Sequence, residues 1–151
     1  MLLDERTEFA DNTELDQSGT DTDNLGDVID LGKARDIGQG QQLYLVIQVT
    51  VAFTSAGGTA TIVFQLVSDG TDTIATSGQT IHAMTTPLTI TQLALGKQYV
   101  IPVPSEGLAY EQFLGLQQVT AVQALTGGKV NAFLTTEPTV KPTTSYADAA
   151  N

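Results

Sequence analysis

Few residues in this chain have the chemistry for a catalytic or metal site. His82 is the only histidine and there is no cysteine, so a zinc centre of the usual kind cannot be assembled. In Thr80-Ile-His-Ala-Met the histidine alternates with Ile81 and Ala83 and reads as a half-exposed strand residue. None of Ser18, Ser55, Ser68, Ser77, Ser105 and Ser145 sits in a Gly-x-Ser-x-Gly elbow, the turn that exposes a nucleophile. Glu106 and Glu111 are the nearest candidate carboxylate pair. They fall in a Pro-Ser-Glu-Gly turn and the segment after it, and read as a solvated loop. Asp21-Thr-Asp-Asn-Leu-Gly-Asp begins like a calcium loop. An EF-hand needs an oxygen ligand where Leu25 stands and a glutamate where Gly32 stands, so an acidic turn is expected instead. Gly38-Gln-Gly-Gln and Gly57-Gly58 open no helix and have no lysine at phosphate-loop spacing, so both read as turns.

The elements that would position these residues are strands. From Gln42 to Phe53 the residues Leu43, Leu45, Ile47, Val49, Val51 and Phe53 recur in period two, which predicts one apolar face. Ala60, Ile62, Phe64 and Leu66 repeat the pattern over Thr59–Ser68. The Gly57-Gly58 turn between these runs predicts a hairpin. Leu43, Leu45, Ile47, Val49, Val51, Ile62, Phe64 and Leu66 are the expected core. Shorter strands are predicted at Leu25–Leu31, Thr73–Thr76, Thr80–Met84, Leu88–Leu93, Gln98–Val103, Phe113–Val119 and Lys129–Thr135. Only Glu106–Leu116 has room for a helical turn. About eight short strands with frequent turn signals predict an all-β fold, an antiparallel two-sheet sandwich or barrel in one domain. Residues 1–24 read as an acidic extended arm, 25–135 as the sandwich and 136–151, with Pro138 and Pro142, as an irregular C-terminal tail.

Charge narrows the partners. Seventeen acidic residues face six basic ones, and eleven of the acids lie in the first 36 residues. Such a chain repels phosphate backbones and anionic lipid, so neither nucleic acid nor membrane is expected as a partner. Met1-Leu-Leu-Asp-Glu lacks the basic region and apolar run of a signal peptide, and Leu43–Phe53 is too short to span a bilayer. A soluble protein made and used without export is expected, with no cofactor.

Several stretches resemble one family. They are Met1-Leu-Leu-Asp-Glu-Arg-Thr-Glu-Phe-Ala-Asp, Asn24-Leu-Gly-Asp-Val-Ile-Asp-Leu-Gly, Ala34-Arg-Asp-Ile-Gly, Leu43-Tyr-Leu-Val-Ile and Phe64-Gln-Leu-Val-Ser-Asp. Pro102-Val-Pro-Ser-Glu-Gly, Phe113-Leu-Gly-Leu-Gln and Gly128-Lys-Val-Asn-Ala-Phe-Leu-Thr follow in order. Together they resemble the small capsid cement (decoration) proteins of tailed, mostly short-tailed, bacteriophages, typified by one from a Bordetella phage. The resemblance implies a jelly-roll sandwich on the outer surface of the virion, made in the host cytoplasm. It also implies a structural role, not an enzymatic one. The implied partners are a major capsid protein of HK97-like fold and a second copy of the chain, as a homodimer or alternatively a homotrimer. A carbohydrate-binding virion sandwich is the alternative, although the chain has no Trp and only four Tyr for stacking on sugars. A cupin-type enzyme would need more histidines.

Within the arm, Leu2, Leu3 and Phe9 are isolated apolar residues among acids. They are expected to act, with Asp4, Glu5, Arg6 and Glu8, as contacts to the capsid or a sister subunit. The competing expectation is that the arm packs on its own sandwich.

Overall fold

β3 (Tyr44–Ser55) and β4 (Thr61–Asp69) form where the period-two alternation is strongest. Leu45, Ile47, Val49 and Phe53 on the first, and Ile62, Phe64 and Leu66 on the second, are buried. The computed structural model describes residues 5–38 and 40–138, and its remaining strands are β1 (Glu8–Glu14), β2 (Thr22–Asp30), β5 (Thr80–Met84), β6 (Leu88–Thr89), β7 (Gln98–Pro102), β8 (Phe113–Ala121) and β9 (Leu125–Thr135). One sheet has the order β1-β9-β3-β7 and the other β2-β8-β4-β5, with β6 beside β4. The pairs β1·β9, β2·β8, β3·β7 and β4·β5 are all antiparallel. The chain is therefore one long antiparallel ribbon, doubled back between β4 and β5 and rolled up so that successive pairs fall alternately into two sheets. That winding, closed by β3·β9 and β4·β8, is a jelly roll.

The predicted Gly57-Gly58 hairpin does not form, because β3 and β4 lie in different sheets. Each has one apolar face, and pairing them side by side would leave both faces needing another layer. Passing the turn across the sandwich lets each cover the other. The Phe53 and Phe64 rings meet there edge to face, 6.3 Å apart at 77°.

The expected core holds at six of its eight positions. Leu43 precedes β3 and is only partly buried against the core. Val51 is 44% exposed, because the β3·β9 register shifts between Val49 and Val51 and again before Thr54. The first shift takes Val51 off the inner face, and Phe53 returns to it.

The residue 1–24 arm is corrected from Glu8 onward. β1 is an edge strand whose Phe9 is fully buried, and Leu15 beyond it is buried too. A bulge at Asn12, with φ 48°, breaks the period that would have marked this strand in the sequence. Its exposed acids suit an edge that must not pair further. Three shorter expectations also change. Thr73–Thr76 is loop, Leu88–Leu93 shrinks to β6 and a turn, and residues 106–112 are irregular before β8 begins.

Two glycines allow the sheets to close. At Gly26, with φ +72°, a Cβ would collide with the carbonyl oxygen of Phe9 where β2 crosses β1. At Gly128, with φ +147°, a Cβ would lie 2.7 Å from the Phe53 ring. Gly127 and Gly128 stand inside β9.

Candidate functional site

His82, on the edge strand β5, belongs to a clamp. Its Nε2 lies 2.7 Å from Ser68 Oγ on β4, and its ring stacks on Tyr110 at 3.7 Å and 15°. The Glu111 amide donates to Ser68 Oγ (3.1 Å), and Thr80 Oγ1 donates to Glu111 Oε1 (2.9 Å). Tyr110 donates to the Pro104 carbonyl (2.6 Å). Ser68 Oγ and His82 Nε2 share one hydrogen bond, whose donor is set by the ring tautomer. Burial holds the His82 pKa below its usual value against the opposing charge of Glu111. Burial first, then the charge of Asp36, pushes Tyr110 up to about 12. Serine, histidine and glutamate are brought close, but the Glu111 carboxylate is bonded to Thr80, and Ser68 has no exposed surface. The arrangement ties the 103–112 loop to β4 and β5. Glu106 stays exposed in that loop and takes no part in the clamp.

The expected acidic turn at Asp21–Asp27 is instead the start of β2. Asp23 Oδ2 is buried and has no hydrogen-bond partner. Burial first, then the neighbouring carboxylates Asp21 and Asp16, push the Asp23 carboxyl up to about 6. Asp16 moves the other way, held down chiefly by hydrogen bonds from Ser18. Among the described residues no group of three His, Cys, Asp or Glu is placed to hold a metal ion. Because the folded Asp23 pKa lies above the unfolded value of 3.8, the folded state holds the extra proton between those limits. Its contribution to stability is therefore complete below about pH 4 and is lost as pH rises through about 6. Asp23→Asn is expected to raise stability at pH 7.5 by about 1 kcal/mol after solvent screening. It should gain nothing at pH 4. Thermal melts at the two pH values check this, and a gain of equal size at both would refute it.

The strand order sets four connections in a row at one end of the sandwich. They are residues 15–21 (β1 to β2), 122–124 (β8 to β9), 56–60 (β3 to β4) and 85–97 (β5 to β7). Val122 (73% exposed), Leu95 (69%) and Met84 (53%) lie in or beside this row. Residues 37–68 and 112–128 carry no charge, and 73–97 only Lys97 and the neutral His82. Val122 has φ 71°, a conformation that costs a β-branched residue about 1–3 kcal/mol. Its neighbour Gln123 holds the tip in place. Gln123 Oε1 accepts from Gly57 N (2.8 Å) and Thr59 Oγ1 (3.4 Å) of the next connection. No motif in the sequence singled out Val122, because φ is not legible there.

Seven contacts are expected in the N-terminal arm. Leu2, Leu3 and Asp4 lie outside the described residues. Glu5 opens a short 3-10 turn, Glu5–Thr7. Arg6 is exposed and, with Glu8, Asp27, Val28, Ile29 and Asp30, lines a cleft of about 580 Å³. Phe9 is closed to a partner, since it lies in the chain's own core.

The fold defines an antiparallel jelly-roll sandwich whose Ser68–His82 contact is part of its packing. Residues 15–134 match the Bbp16 family, a span running from the end of β1 almost to the end of β9. The chain belongs to the Bbp16 family, a bacteriophage protein family of the Bordetella phage type. No curated protein matches it. Among the described residues no helix is long and apolar enough to cross a membrane.

Proposed function

We propose that the protein is a cement protein of a bacteriophage head. In this reading it sits on the outer surface of the capsid, binds a major capsid protein of HK97-like fold and staples neighbouring subunits as a homodimer. The observation that carries the reading is the match of almost the whole jelly-roll body to a bacteriophage family. The physical character of the chain supports it. Two sheets packed face to face give a stiff body, as a staple under pressure requires. A net charge of −11 keeps it off the packaged nucleic acid. Many modest contacts spread over several capsid subunits add up through effective concentration.

The test is addition of purified protein to heads assembled without it, followed by cryo-EM and thermal challenge. The expected result is density on the outer surface bridging capsid subunits, and heads that survive to higher temperature. Heads that stay bare at saturating protein, or that bind it without any gain in stability, would contradict the reading.

A further inference from the structure

The geometry points to His82 as a proton-operated latch on the 103–112 connection: the neutral ring holds the connection against β4 and β5, and protonation of the ring releases it. His82 is the chain's only histidine. The contacts that fix the connection converge on its ring. Ser68 Oγ, 2.7 Å from His82 Nε2, accepts from the Glu111 amide, and Tyr110 stacks on the imidazole at 3.7 Å. Tyr110 in turn donates to the Pro104 carbonyl, so it ties the two ends of the connection together. Between those ends residues 106–109 are exposed. Val103 is held separately, in the core and by its amide bond to the Leu43 carbonyl, so release concerns residues 104–111.

Protonation changes the chemistry at the centre of these contacts. A neutral imidazole can give or take the Ser68 bond, whereas an imidazolium can only give it. Ser68 then accepts from both the ring and the Glu111 amide, and its own proton lacks an acceptor among the described residues. Ser68 has no exposed surface, and a buried donor left unpaired is costly. The surroundings compensate the cation little. Neither β5 nor β7 beside it carries another charge. Asp69, next to Ser68 on β4, has its carboxylate occupied by the Thr71 and Ala75 amides. Asp36 acts on Tyr110. Glu111 does act on the ring, but its Oε1 already accepts from Thr80, and burial outweighs its charge. With the folded pKa below the usual 6.5, the latch is complete above about pH 6.5 and is lost as pH falls toward the folded value. An open connection returns His82 to its ordinary proton affinity. The opening constant therefore rises about tenfold per pH unit below 6.5 and levels off once the closed form is protonated too.

This inference stands apart from the capsid reading and is tested on the full chain in solution. In a proton NMR titration the single histidine ring is unambiguous, and its midpoint is expected below pH 6.5. Amide exchange, corrected for the intrinsic effect of pH, is followed by mass spectrometry in peptides covering 104–111 and β3. Exchange is expected to quicken at 104–111 and not in β3 as pH falls from about 7 to about 5, by the factor that the NMR midpoint sets. Glu111→Gln keeps an acceptor for Thr80 but removes the charge. Its midpoint should fall, and its gain in exchange should grow by about tenfold for each unit of that fall. The response should persist in Asp23→Asn, which removes the titration at the far end of the β2·β8 ladder. His82→Gln should exchange at 104–111 with no dependence on pH beyond the intrinsic one; if that variant does not fold, Glu111→Gln decides. A midpoint at or above 6.5, exchange at 104–111 that ignores pH or changes in step with β3, a response lost in Asp23→Asn, or a Glu111→Gln midpoint that falls without a larger gain would overturn the proposal.

Discussion

A chain lacking residues 2–15 is expected to lose its cooperative fold. The deletion removes β1 and with it the pairing of Glu8, Ala10, Thr13 and Glu14 to β9. It also removes Phe9 and Leu15, both buried in the core, and the bond from the Leu15 amide to the Gly128 carbonyl. Truncating a buried phenylalanine costs about 3–5 kcal/mol and a buried leucine about 2–5. Together they approach the whole stability of a typical domain, about 5–15 kcal/mol. Thermal and urea unfolding followed by circular dichroism measure the outcome. Phe9→Ala alone is expected to cost about 3–5 kcal/mol. A truncated chain that melts where wild type does would return residues 8–15 to the role of a free anchor.

Phe64→Ala is the second large effect. Phe64 is fully buried at the middle of β4 and meets Phe53 of the facing sheet edge to face. The loss is expected at about 3–5 kcal/mol, to which the ring pair adds about 1. For a chain of this length that lowers the melting temperature by roughly 10 °C or more. Val51→Ala is the control. The two residues share the apolar pattern in the sequence, but Val51 lies outward, and its truncation should change stability by no more than about 0.5 kcal/mol. Equal losses at the two positions would mean that the register shift in β3 is wrongly placed.

The pairing of those two substitutions shows where sequence reading stops. Period-two alternation over Gln42–Phe53 and Thr59–Ser68 was enough for strands, for an all-β sandwich and for Phe64 in its core. It is a local property, since successive side chains of any strand point to opposite faces. The acid-rich composition and the lack of a metal-ligand or phosphate-loop pattern were equally plain. Resemblance along nearly the whole chain pointed to the phage family. Which strand lies beside which was not legible. Every strand offers the same backbone donors and acceptors, so the turn at Gly57-Gly58 suits a hairpin as well as a crossing between sheets. Burying two apolar faces at once decided for the crossing. β1 escaped notice because a bulge at Asn12 interrupts its pattern, and its partner β9 lies more than a hundred residues away. The clamp of Ser68, His82 and Tyr110 joins three positions with no common spacing. The outward Val122 depends on a backbone angle. The clamp exists only because the rolled ribbon brings β4, β5 and the 103–112 connection together, and that proximity is set by long-range packing, which no local pattern of residues encodes.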